Sequence, residues 1–193
     1  MENPLSFTFF WRGPLSNWHK STFDGLLWDE VQRRFCTTEQ WMMSAKALLF
    51  SDLNALQAIM ATNDPKEQKA LGRQVSGFNK AKWDLHARNL VYAGCSYKFE
   101  QNPRLKEILL ATKGVLAEAS PYDKVWGIGL DEKDPRARNP GRWQGTNWLG
   151  QVLMHVRKDL KDPLSVGVKR RLILHAAKHG LPCGDLFLQD CHG

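Results

Sequence analysis

Two asparagine-led proline breaks, Asn63-Asp64-Pro65 and Asn102-Pro103, cut the middle of this chain into helix-length pieces. Between them apolar residues recur at helical spacing. Trp41, Ala45, Leu48 and Leu49 form one stripe; Trp83, Ala87, Leu90, Val91 and Gly94 form a longer one. Thr37-x-x-Gln40 has the spacing of a capping box and opens the first stripe. This pattern predicts helices from Thr37 to Phe50, from Pro65 to about Gly72, and over residues 80–99. Leu105, Ile108, Leu109 and Leu116 mark a further helix. Others are expected from about Asn147 to Leu160 and over 164–179. Residues 5–12 are aromatic and end at Gly13-Pro14, which fits a short strand and a turn. Residues 13–25 read as polar and irregular. Residues 26–36 fit either a strand pair or a short extended segment. Residues 119–150 are rich in turn formers and read as loop. The expected fold class is α+β, helix-dominant, with a few short strands.

Composition narrows the function classes. The chain has 193 residues, enough for one domain with a sizeable core. It has no run of 18 apolar residues, so no transmembrane helix and no membrane partner are expected. The first eleven residues lack a basic segment followed by an apolar one, so no secretory signal is expected. The four cysteines form no CxxC pair, which suggests free thiols and a cytoplasmic location. Lys and Arg total 27 against 20 for Asp and Glu, a formal charge of +7 that suits a polyanion or a phosphate-bearing ligand. Eight tryptophans exceed what one small core needs, so some are candidate ligand platforms. Walker, GxGxxG, HExxH and GxSxG motifs are all missing, which argues against the common nucleotide folds and triad enzymes.

Several constellations remain as candidates for chemistry. Glu39 and Lys46 lie seven residues apart on one predicted helix, so they share a face with roughly 10 Å of rise between them. A lysine among Met42, Met43 and Leu49 loses its proton more readily than an exposed one. On spacing alone, the plainer reading is a solvated pair on an amphipathic helix. Asp123, Trp126 and Gly127 combine a carboxylate, an indole and a flexible turn, which suits a sugar ring or a base; a turn-capping Asp and a core Trp fit the same pattern. Glu39, Glu118 and Asp123 are the carboxylates a glycosidase would need, if the fold brings them together. Lys133, Arg136, Arg138 and Arg142, with Trp143 after them, suit phosphates or a nucleic-acid backbone, as does Lys169-Arg170-Arg171; a solvated basic surface is the plainer reading of both runs. Gly145 to Gly150 opens a helix, and its backbone amides suit a phosphate or hydroxyl. His175-x3-His179-x3-Cys183, with Cys191 and His192 nearby, has ligand-type residues but no standard zinc spacing, so no metal is expected.

The order of these segments carries more information than any one of them. An aromatic strand precedes Gly13-Pro14-Leu15-Ser16-Asn17. Then come Thr38-Glu39-Gln40-Trp41 with Ala45-Lys46, Trp83, and Lys98-Phe99-Glu100-Gln101-Asn102-Pro103. Leu109-Leu110-Ala111-Thr112, Glu118, Asp123, Trp126-Gly127, Asn147, Leu149-Gly150, Leu153-Met154 and Val156-Arg157 follow. Over roughly residues 6 to 160 this resembles the YbiA-like or NADAR family. The resemblance implies a domain over residues 1–160 and a C-terminal helical extension over 161–193. It implies hydrolysis of a ribosyl C1–N bond, without a cofactor. The implied substrates are ADP-ribose on guanine in nucleic acid, or ribose-phosphate pyrimidines of early riboflavin synthesis; a binding module for ADP-ribose or NAD is the non-catalytic alternative. Lys46 would form a Schiff base with the sugar C1, Glu39 would be the acid/base group and Asp123 would hold ribose hydroxyls. Asn17, Trp83, Glu118, Trp126, Gly127 and Asn147 would bind or orient the substrate. Arg12, Arg138 and Arg142 would hold phosphate. Here Gln40 and Trp41 follow the glutamate where many members carry a histidine and an aromatic, and residues 131–142 are longer and more basic than in compact members.

Overall fold

A computed structural model describes residues 5–182 of the chain. Most of the helices start where a side chain accepts from their first amides. Thr37 caps α1 (Thr38–Leu49), its hydroxyl accepting from the Gln40 N–H at 2.9 Å. The Gln40 side chain reaches back to the Cys36 N–H at 2.8 Å, and also donates to the Ile59 and Thr62 carbonyls at 3.1 Å each. Gln40 therefore ties the start of α1 to the end of α2 (Leu53–Ala61). Asp52, Asp64 and Asn79 cap α2, α3 (Pro65–Arg73) and the long α4 (Lys80–Gln101). Proline fills the first turn of α3, α5 (Pro103–Ala111) and α7 (Pro163–His179), where its missing N–H costs nothing. Between the last two lies α6 (Trp148–Asp159).

Strands are few and short. β1 (Phe7–Phe10) pairs in parallel with β4 (Val115–Glu118), setting Phe10 opposite Glu118. β2 (Phe23–Leu26) and β3 (Gln32–Phe35) form an antiparallel hairpin. Residues 26–36 thus belong to a strand pair whose first strand starts inside the stretch expected to be irregular. Leu116 corrects a second expectation, because it lies in β4 and not in the helix of Leu105 to Leu109. That helix stops at Ala111, and Gly114, at φ +63°, turns the chain into the strand. Leu116, Ala117 and Glu118 are all buried, so the strand lacks the alternation that would announce it.

The core is built around α4, which packs against α1, α6 and α7. Trp41 is fully buried and donates its indole N–H to the Leu90 carbonyl at 2.7 Å. A Cβ at Gly94 would lie 2.3 Å from the Trp41 ring, so α1 and α4 meet this closely only because residue 94 has no side chain. Gly94→Ala is therefore expected to destabilise the protein by about 3 kcal/mol, roughly 6–12 °C in Tm, read by thermal unfolding. α7 closes the far side. Its Lys169 pairs with Asp159 at 2.8 Å, and Tyr92 donates to the same carboxylate at 2.8 Å. Arg170 pairs with Glu100 and packs 3.9 Å from the Tyr97 ring centroid. Two cations of the 169–171 run thus face α4 and α6.

Candidate active site

Glu39, Met42, Met43 and Lys46 follow helical spacing along one face of α1 and line a cavity of about 780 Å³. The loop after β1 supplies Trp11 to Lys20 in part, α3 supplies Lys69 and Arg73, and the end of β4 with its following loop supplies Glu118, Ser120, Tyr122, Asp123 and Trp126. Glu39 and Lys46 of α1 are thereby brought to one cavity with Asp123, distant in sequence, together with Asn17, Glu118, Trp126 and Arg12.

Two buried carboxyls dominate its electrostatics. Glu39 is 2% exposed and its Oε1 has no hydrogen-bond partner among the described residues. Burial pushes its pKa up to about 7 and Asp123 adds to the rise, although Lys69, the Trp18 side chain and Arg73 pull it down. Glu118 is 9% exposed and its Oε2 is also unpartnered. Burial, then Asp123 and Glu39, push it up to about 8 against the pull of Lys69. Burial thus biases both acids toward their protonated forms, and each keeps one carboxyl oxygen without a hydrogen-bond partner among the described residues. Neutralising them favours folding fully below their ordinary pKa, and that stability is lost as pH rises through about 7 and 8. The Tm of the natural protein is thus expected to fall between pH 5 and 9 relative to a Glu39→Gln/Glu118→Gln variant. Parallel Tm curves would show that the two groups are ordinary carboxylates.

Lys46 lies on the same wall with its pKa lowered by burial and by Arg73. Its Nζ donates to the Gly72 carbonyl at 2.7 Å and sits 4.1 Å from the Phe78 ring centroid and 5.9 Å from that of Trp83. These contacts hold the amine in one place, while burial and the Arg73 charge favour its neutral form. The close approach of α3 depends on Gly72, where a Cβ would meet the Met43 sulfur at 1.9 Å. Asp123 is held by its turn. Its Oδ1 accepts from the Val125 and Trp126 amides at 3.0 and 2.8 Å, and its Oδ2 lies 3.9 Å from Lys69 Nζ. One carboxylate oxygen thus fixes the loop while the other faces the cation.

Other expected residues act from behind the wall. Trp83 packs on Lys46 and is not part of the cavity lining. Asn147, at φ +53°, accepts from the Glu118 N–H at 3.0 Å and donates to the Leu116 carbonyl at 2.8 Å, so it fixes the end of β4. The Gly127 backbone lies so close that a Cβ would come 2.8 Å from the Glu118 carbonyl. Both residues position Glu118 and neither lines the cavity. Arg138 lies instead at a separate shallow cleft with Glu132, Lys133 and Asp134, its guanidinium 5.6 Å from the Phe9 ring centroid. Arg142 lines neither. The cations that do line the cavity are Arg12, Lys20, Lys46, Lys69 and Arg73. Lys69 and Arg73 were legible only as a four-residue spacing on α3. The His175 and His179 rings lie with centroids 4.5 Å apart, tilted by 52°, whereas Cys183, Cys191 and His192 lie outside the described residues. Among the described residues no group of three His, Cys, Asp or Glu side chains is placed to hold a metal ion.

The order of segments acquires a physical meaning at α4. Lys98 is fully buried and donates to the Ser16 carbonyl at 3.0 Å; burial brings its pKa down to about 8. Gln101 exchanges two hydrogen bonds with the Asp24 backbone, and Asn102 donates to the Thr22 carbonyl. The end of α4 therefore pins the loop that carries Asn17 and Trp18. That loop in turn meets α1, where the Glu39 N–H donates to the Asn17 carbonyl at 3.0 Å.

The NADAR domain matches residues 9–161. This chain belongs to the NADAR domain family. It is 39% identical over 150 residues to Protein irg-1 of Caenorhabditis elegans, covering 76% of this chain and 69% of that one. It is 40% identical over 145 residues to N-glycosidase R617 of Acanthamoeba polyphaga mimivirus, covering 75% and 85%. A shorter match, 32% over 110 residues, covers 54% of this chain and 16% of the chloroplastic riboflavin biosynthesis protein PYRR of Zea mays. In fold it is similar to the NMR structure of YbiA from E. coli, with a TM-score of 0.65 at 23% identity over 83% of this chain and 88% of that one. The family's N-glycosidases are hydrolases acting on N-glycosyl bonds. Among the described residues no helix is long and apolar enough to cross a membrane.

Proposed function

We propose that this chain is an N-glycosidase that releases ADP-ribose from guanine in nucleic acid through a lysine Schiff base. The observation that carries the reading is the convergence of Glu39, Glu118 and Lys46 on one cavity, two acids biased toward neutrality and an amine biased the same way. A glycosylamine needs this combination. Protonation of the ring oxygen opens the sugar and leaves an iminium between C1 and the base nitrogen. The neutral Lys46 amine adds to C1, a proton moves to the base nitrogen, and the base departs as the C1–lysine imine forms. Water then adds to C1, and the free sugar leaves as Lys46 is restored. Glu39, near 7, is suited to give and take these protons in turn. Glu118, near 8, stays protonated longer and serves as a hydrogen-bond donor. The Oδ2 of Asp123 is available to ribose hydroxyls. Lys69, Arg73, Lys20 and Arg12 suit a pyrophosphate and favour the ADP-ribosyl substrate over a singly phosphorylated one.

The smaller riboflavin-pathway ribosylamino-pyrimidine is the second reading, supported by the match to PYRR. Parallel turnover assays separate the two. An oligonucleotide carrying guanine-linked ADP-ribose and the pyrimidine ribose phosphate are each incubated with the protein, and released sugar and base are weighed by mass spectrometry. Release from the oligonucleotide is expected. Release from the pyrimidine alone would transfer the same chemistry to a metabolite.

A further inference from the structure

Lys98 is a buried ionisable group that the chemistry above does not use. It is 1% exposed and does not line the cavity. Its Nζ donates to the Ser16 carbonyl at 3.0 Å and lies 4.9 Å from the Phe99 ring centroid. Among the described residues no carboxylate stands within salt-bridge distance of it. An ammonium buried without a counterion weakens a fold that an apolar side chain of similar length would not. The Ser16 carbonyl does not depend on the lysine, because it also accepts from the His19 N–H at 3.2 Å. A side chain that works against stability in this way marks a functional demand. The demand is visible in what Lys98 holds, the loop between β1 and β2. Ser16, Asn17, Trp18, His19 and Lys20 of that loop all line the cavity. One turn before Lys98 on α4, the Cys95 thiol lies 4.0 Å from Asn17 Oδ1, so two α4 side chains meet the same segment. The segment then reaches the acid directly. The Asn17 carbonyl accepts from the Glu39 N–H at 3.0 Å, and the Trp18 side chain meets the Glu39 carboxyl.

We propose that Lys98 is a positioning residue for the reaction: through the Ser16 carbonyl it fixes the Asn17–Trp18 segment, and through that segment the place of the Glu39 carboxyl at the sugar. Its effect on rate rests on the N-glycosidase reading of the cavity; its anchoring of the loop does not. Lys98 touches neither the cavity nor the reacting atoms, so its contribution to kcat passes through Glu39.

Lys98→Met keeps the apolar stem and removes the ammonium. Its Tm is expected to match or exceed that of the natural protein, while kcat on the ADP-ribosylated oligonucleotide falls about 10²-fold. In a Glu39→Gln background the same substitution is expected to change kcat by no more than about twofold, because the group it positions is already disabled. Unchanged kcat in the single variant, or a loss of equal size in both backgrounds, would overturn the proposal. Hydrogen exchange supplies a readout that needs no turnover. The amides from Leu15 to Ser21 and that of Glu39 are expected to exchange faster in Lys98→Met, with α6 and α7 unchanged. Unchanged exchange in the loop removes the anchor. Faster exchange throughout the protein, with a lowered Tm, makes Lys98 a general structural residue and also ends the proposal. If the natural protein hydrolyses neither the oligonucleotide nor the ribosylamino-pyrimidine, the N-glycosidase reading fails, and exchange in the loop alone decides whether Lys98 anchors it.

Discussion

Lys46→Met is expected to lower turnover on the order of 10³-fold or more while the fold survives. Methionine has a similar length and suits the surroundings of Met43, Phe78 and Trp83. The folding cost is the hydrogen bond to the Gly72 carbonyl, about 1 kcal/mol, which a thermal melt will register as a small shift. The chemical cost is total if the amine is the nucleophile, because no other lysine occupies the same stripe of α1. Borohydride in the presence of the ADP-ribosylated oligonucleotide gives a second readout. It is expected to add one sugar-derived mass to the natural protein, retained through denaturation, and none to the variant. Normal turnover by Lys46→Met would remove the Schiff base from the mechanism and leave hydrolysis by direct water attack.

Glu39→Gln is expected to reduce kcat by roughly 10²–10⁴-fold with a much smaller change in KM. The amide preserves shape and still offers a donor, but it cannot pass a proton from ring oxygen to leaving base. The pH profile carries the sign. In the natural protein, rate is expected to decline as pH rises through about 7 and then 8, as Glu39 and then Glu118 give up the protons that open the sugar ring. In Glu39→Gln the lower of these breaks disappears. If KM rises and kcat stays, Glu39 is a binding residue, and the proton carrier is Glu118.

The two positions reach these roles by different physics. Glu39 stands in the first turn of a helix, beside a loop fixed by Lys98, so its burial follows from packing around it. Glu118 ends a strand whose backbone is held by Asn147 and whose carbonyl accepts from the Ile128 N–H at 2.9 Å. Neither carboxyl has an ion-pair partner at salt-bridge distance among the described residues, so both favour the protonated state.

Local order was readable from the chain. The helix starts at Thr37, Asp64 and Asn102 follow from cap chemistry and proline geometry, which act within a turn. The Glu39–Lys46 stripe follows from the period of one helix, and the ordered segments were enough to suggest the family. Burial and convergence were not readable, because they depend on contacts between residues distant in the chain. Nothing in the spacing says that Asp123 faces Lys69, that Asn147 holds Glu118 from 29 residues away, or that Trp83 stands behind Lys46 instead of on the cavity wall. The basic run at 133–142 promised phosphate contacts by charge alone, yet the fold sets Arg138 at another cleft and gives the cavity Lys69 and Arg73 of α3. Charge is a property of the sequence; which charges share a cavity, and how far their pKa values move, is decided by the tertiary packing that removes water from between them.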